Sequence, residues 1–224
     1  MKRLKHLTIL LVLLFVFLYS ASFAQAAYGS TITVTSTQNI PYGWMIKSSS
    51  TFAGTTTYTL IDLNGAPYGA TQNVTSTFNI PSGWVIKSSS TFAGITTYTL
   101  LNLNGASYGA TQSVTSTYNM PYGWMIKSSS TFAGITTYVI VNLNNGPVFA
   151  TQQVTSTFNT PSGWMIRSSS TFAGTTTYTM VNLNGAAVGS TQNVTSTFNM
   201  PAGWLIRSSS TFAGVTTYTI VKAA

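Results

Sequence analysis

The sequence predicts an all-β protein built from five tandem β-repeats of 40 residues. Three observations point there. The stretch Pro41-Tyr42-Gly43-Trp44 returns nearly letter for letter, with its tryptophan at Trp84, Trp124, Trp164 and Trp204 and no insertion between copies. No window carries apolar residues at helical spacing, and β-branched and aromatic residues fill the intervals between Gly and Pro. A fixed period of about 20 to 50 residues marks units that cannot bury an apolar face alone and must share it with a neighbour.

The chain opens with Lys2, Arg3 and Lys5, continues with an apolar run from Leu7 to Leu18, and reaches Ala24-Gln25-Ala26. That order is expected of a secretory signal peptide over residues 1–26, and the apolar run is too short for a bilayer span of about 20 residues. The remainder, 27–224, is expected to form one repeat domain, with copies near 27–64, 65–104, 105–144, 145–184 and 185–224. The product is expected to be secreted, extracellular or at the cell surface.

Within a copy, Val74 to Phe78, Trp84 to Ser88 and Thr96 to Leu103 read as strands. Trp84 and Ile86 share one face of their strand and are assigned to the core, while Val85 and Lys87 share the other. Three turns recur: Pro81-Ser82-Gly83, Ala93-Gly94, and the Asn-Gly pairs at 64–65, 104–105 and 184–185, the strongest hairpin signal of the three. Asn144-Asn145 stands at the third of these sites, and Asn tolerates the left-handed backbone nearly as well as Gly. Phe149 replaces the glycine found at Gly69, Gly109 and Gly189, which suggests that this glycine is dispensable.

The last copy stops at Ala224, where an Asn-Gly turn would begin, and Tyr28-Gly29-Ser30-Thr31 matches the strand that follows that turn. The expectation is a five-bladed propeller-like ring in which the N-terminal strand completes the last repeat; the alternative is an open or polymerising β-repeat array. Three hairpins per copy would reverse the chain at each repeat, so a ring calls for a fourth strand, formed by bending Tyr68 to Asn79.

Composition excludes most chemistry. Charged residues make up 4% of the chain, cysteine is absent, and His6 lies in the leader. Residues 27–224 hold no Glu and one Asp, Asp62, whose counterparts are Asn102, Asn142, Asn182 and Lys222. Asp62 therefore reads as variation at a surface position. Neither an acid–base pair nor a triad can be assembled, so the chain is not expected to be an enzyme. No metal or cofactor is expected either.

Six basic residues oppose Asp62 in residues 27–224, giving a net charge of +5, and five of them share one repeat position: Lys47, Lys87, Lys127, Arg167 and Arg207. One cation per copy is too sparse for nucleic acid. It suits contact with an anionic surface polymer or an acidic glycan, or simple solubilisation. No stable membrane insertion is expected, because Ser and Thr occupy both faces of the strands too often for a lipid-facing barrel.

Recognition or assembly is left. The expected function is non-catalytic, lectin-like carbohydrate binding through several equivalent sites; the alternative is a structural surface or matrix protein that self-associates into β-rich fibres. Aromatic faces cover the apolar face of a sugar and amides pair with its hydroxyls, so the candidate site residues are the five tryptophans (Trp44, Trp84, Trp124, Trp164, Trp204), the five cations above, and Asn39, Asn79, Asn119, Asn159 and Asn199. Packing competes for each tryptophan, and a turn role competes for each asparagine.

Overall fold

The computed structural model describes residues 27–224, and the predicted leader lies outside them. The described chain is all-β, in five copies of one three-stranded antiparallel sheet, and forms two compact units, the first ending at Ala66 and the second running Pro67–Ala224. The first unit holds β1 (Thr31–Val34), β2 (Trp44–Phe52) and β3 (Thr55–Asp62). The second holds four sheets: β4 (Thr71–Val74), β5 (Trp84–Phe92), β6 (Ile95–Asn102); β7 (Thr111–Val114), β8 (Trp124–Phe132), β9 (Ile135–Asn142); β10 (Thr151–Val154), β11 (Trp164–Phe172), β12 (Thr175–Asn182); and β13 (Thr191–Val194), β14 (Trp204–Phe212), β15 (Val215–Lys222).

In every sheet the last strand of the copy lies in the middle, as in β4-β6-β5. This arrangement corrects the expected turn roles. The only hairpin in a copy is β5–β6, closed by Ala93-Gly94, and both of those residues have positive φ, 48° and 77°. That pair of conformations gives a type I′ turn, whose twist matches that of the flanking strands. The Asn-Gly turns link one sheet to the next, and the Pro-x-Gly turns lead from one edge strand to the other. Because the two edge strands run in the same direction and β6 runs against both, three strands bring the chain back to the end of the sheet where it started. The fourth strand expected between Tyr68 and Asn79 is not needed, and the segment instead forms the short β4 and an irregular turn.

An L-residue at the first turn position is strained by its Cβ, and Asn tolerates that conformation far better. Ala93→Asn is therefore expected to raise the unfolding free energy by about 0.5–1 kcal/mol, read from the shift in denaturant midpoint.

The expectation that Phe149 marks a dispensable glycine is also corrected. Gly69, Gly109 and Gly189 have φ of 81°, 78° and 85°, and Phe149 adopts 61°. The position keeps the left-handed backbone whatever residue occupies it. A Cβ on Gly109 would meet nothing within 4 Å, so Gly109→Ala tests the backbone alone and is expected to cost about 1 kcal/mol in chemical unfolding.

Closure by strand exchange is not what the pairing shows. β1 pairs with β3 of its own copy, from Thr31↔Ile61 to Val34↔Tyr58, and β13 already occupies the equivalent edge of the last sheet. The N-terminal strand is therefore committed locally, and the last repeat is complete without it.

In the second unit, successive sheets pack face to face. Met165, Val181 and Leu183 from one sheet meet Val194, Trp204 and Ile220 from the next. The same contact recurs with Met125, Val141 and Leu143 against Val154, Trp164 and Met180, and with Val85, Leu101 and Leu103 against Val114, Trp124 and Ile140. Val85 is thus as buried as Trp84, so both faces of the lower half-strand belong to the core rather than the tryptophan face alone. Backbone bonds reinforce each junction: the Thr115 N–H donates to the Lys87 carbonyl at 3.1 Å, and the Thr155 N–H to the Ile126 carbonyl at 2.8 Å. Among the described residues, no strand Cα of the first sheet of this unit lies within 8 Å of one in the fourth.

The short edge strand pairs only with the lower half of the long hairpin, since Val74↔Tyr98 is its last partner pair. Beyond that pair, each hairpin continues as an exposed two-stranded Ser/Thr ribbon. Thr91 and Thr96 face each other across it with hydroxyls 2.9 Å apart, as Thr131 and Thr136 do in the next copy.

Candidate binding surface

The five tryptophans were candidates for contact with a ligand. The structure places Trp84, Trp124, Trp164 and Trp204 in the core and leaves Trp44 half-buried. Each buried ring covers apolar side chains of the preceding sheet in the second unit's three junctions, for example Trp164 over Met125, Val141 and Leu143. Burial at this level removes the ring faces that a sugar would need, so these residues are reassigned to packing.

The five asparagines are reassigned as well. Asn39, Asn79, Asn119, Asn159 and Asn199 all sit in the left-handed region, with φ between 59° and 68°. Three of them also join sheets in the second unit. The Asn159 amide donates to the Pro121 carbonyl at 2.6 Å and to the Trp124 carbonyl at 3.1 Å. Asn119 bonds Pro81 and Trp84 in the same way, and Asn199 bonds Pro161 and Trp164. The residue type follows from the joint demand: a side chain that tolerates positive φ and also carries two N–H donors.

Asp62 is not a surface residue, since it is 1% exposed. Its Oδ1 accepts from the Asn64 N–H at 2.9 Å and from the Asn64 amide at 2.8 Å. Its counterparts bond the same turn: Asn142 Oδ1 accepts from the Asn144 N–H, and its amide donates to Ala106 and Ser107 carbonyls. In the last copy Lys222 makes a different bond, donating from Nζ to the Ala202 carbonyl at 2.9 Å, where the Asn144 amide donates to the Tyr122 carbonyl. Asp62 is thus a turn-fixing acceptor held away from solvent, and among the described residues no group of three His, Cys, Asp or Glu could hold a metal ion.

The cations remain at the surface. Lys47, Lys87, Lys127, Arg167 and Arg207 are all exposed. Each lies at a β-bulge where the register with the middle strand slips, as between Ile126 and Ser128. A bulge leaves one residue unpaired and re-aims its side chain. Lys127 lines a groove of about 350 Å³ with Thr151, Gln152, Gln153 and Thr179 of the following sheet. Amides, hydroxyls and one ammonium are the only functional groups on this lining. The amide of Gln112, the residue equivalent to Gln152 one copy earlier, is held by the Tyr68 hydroxyl at 2.9 Å.

A second hollow, of about 290 Å³, opens beside the Asn144-Asn145 turn and is lined by Tyr122, Asn184 and the edge of Trp164 among others. The Tyr122 hydroxyl accepts from the Ser162 N–H at 2.6 Å. Gly146 stands here where the other turns carry Ala66, Ala106 and Ala186. A Cβ at Gly146 would fall 2.7 Å from Trp164 Cζ2, and the Trp164 ring lies stacked on Tyr108 at 6.0 Å. Partial burial pushes the Tyr108 phenol above its ordinary range. The signal that could have marked this hollow was the one copy whose turn departs from Asn-Gly-Ala.

Two sets of exposed aromatics were not anticipated. Phe52, Phe92, Phe132, Phe172 and Phe212 sit at the hairpin tips, each 86–87% exposed, and Phe78, Tyr118, Phe158 and Phe198 lie exposed on the turn after the short edge strand. No family model, no curated protein and no solved structure matches this chain.

Proposed function

We propose that this is an exported, non-catalytic binding protein whose equivalent inter-sheet grooves take an anionic glycan or other acidic surface polymer. The observation that carries the reading is the groove at Lys127, where an exposed ammonium stands beside two glutamine amides and two threonine hydroxyls. The ammonium attracts a carboxylate or sulfate, and the neutral groups can both donate to and accept from sugar hydroxyls. Arg167 with Gln192, and Lys87 with Gln112, place a cation and a glutamine at the same positions one copy away, with Asn193 and Ser113 where Gln153 stands. Single grooves of this kind bind weakly, and a polymer reaching several of them gains by avidity, by about 10²-fold or more. Of the two architectures weighed above, we propose the open array rather than the sealed ring, in keeping with the local pairing of β1.

The test is titration calorimetry with dextran sulfate against neutral dextran. Dextran sulfate is expected to bind and to weaken steeply as salt is raised. Replacing Lys87, Lys127 and Arg167 by Gln is expected to lower its affinity by about 10²-fold or more, the avidity share. No binding of either polymer by the unaltered chain refutes the reading.

A further inference from the structure

The geometry points to a second copy of this chain as the occupant of the last sheet's outer face, docked head to tail so that the in-chain stacking continues from one molecule into the next. Leu205 is 57% exposed. At the positions equivalent to Leu205, Val85, Met125 and Met165 are buried. In the second unit those three are covered by the Val, Trp and aliphatic face of the following sheet, as Met165 is by Val194, Trp204 and Ile220.

The complementary face is present at the other end of the sequence. Val34 and Trp44 are half-buried, where their equivalents Val194 and Trp204 are buried. Asn39 already holds the left-handed backbone, at φ 59°, that Asn119, Asn159 and Asn199 use to bond the preceding sheet. Its side chain makes no hydrogen bond among the described residues. A partner sheet ending in Leu205, Val221 and Ala223 would offer the carbonyls of Pro201 and Trp204 at the place where Asn159 finds those of Pro121 and Trp124. The contact joins two different surfaces of one chain, so it is heterologous and can propagate. It uses face packing, and each copy keeps its own β1. The inference does not rest on the glycan reading, and its test contains no ligand.

The test is light scattering coupled to size-exclusion chromatography over a ~100-fold concentration range, wide enough to cross a micromolar dissociation constant. The unaltered chain is expected to grow in mass with concentration, in multiples of one chain. Leu205→Lys alters one exposed side chain only and is expected to remain a monomer with an unchanged melting temperature. Ile32→Lys with Val34→Lys blocks the opposite face and is also expected to remain a monomer. Mixing the two variants is expected to give a dimer, since each keeps the face that the other lacks. If the second variant does not fold, a substoichiometric amount of the first is expected to shorten assemblies of the unaltered chain. A monomer at every concentration overturns the inference, as does undiminished assembly of the Leu205→Lys chain.

Discussion

Trp124→Ala is expected to lower the unfolding free energy by about 3–5 kcal/mol, the range for deleting a fully buried large aromatic. The ring closes the junction formed by Val85, Leu101 and Leu103 with Val114 and Ile140, so its removal leaves a cavity between two sheets rather than inside one. Stability in such arrays is close to a sum of unit terms and nearest-neighbour terms. Losing one neighbour term should therefore also split the unfolding transition into two steps, visible when circular dichroism and the fluorescence of the remaining tryptophans are followed together. Trp44→Ala provides the comparison. Trp44 is half-buried, and its loss is expected to cost about half as much and leave the transition single. Equal, small losses at both positions would return the tryptophans to the surface role first expected for them.

Asn159→Ala is expected to cost about 2–3 kcal/mol, combining two causes that further variants separate. The side chain donates to two backbone carbonyls of the preceding sheet, and both acceptors lose that partner. The backbone at Asn159 is left-handed, with φ 68°, which alanine tolerates poorly. Asn159→Gly keeps the backbone at ease and removes only the donors, so it is expected to cost about 1–2 kcal/mol. Asn39→Ala does the reverse, because the Asn39 amide makes no bond within the described residues, and about 1 kcal/mol is expected. Chemical unfolding of the three variants orders them Asn159→Ala, then Asn159→Gly, then Asn39→Ala. If Asn159→Gly matches the unaltered chain, the two bonds contribute nothing and the junction is held by its apolar contacts alone.

The assignment of elements went wrong where two turns competed. Asn-Gly outranks Ala-Gly as a hairpin signal, yet Ala93-Gly94 closes the hairpin and Asn104-Gly105 bridges two sheets. Local preference reports which residues tolerate positive φ: Ala93 and Gly94 both hold it, whereas in the other pair only Gly105 does. That preference says nothing about whether the strands on either side lie next to each other. The candidate site residues were indistinguishable for a related reason. A residue repeated for packing and one repeated for binding look alike in near-identical copies, so Trp164 and Lys127 could be told apart only by exposure. Phe149 misled because strain is not written in the residue type: the chain holds φ 61° there despite the side chain.

The sequence by itself determined the period, the all-β character, the positions where the chain turns and the near-absence of ionisable chemistry. These properties depend on residue type, local backbone preference and spacing. Only the tertiary structure decided the strand order, the burial of the tryptophans, the inter-sheet role of the asparagines and the exposure of the five cations. Each depends on which face of one sheet meets the next, and that is settled by the packing of residues about 40 positions apart rather than by any segment's own preferences.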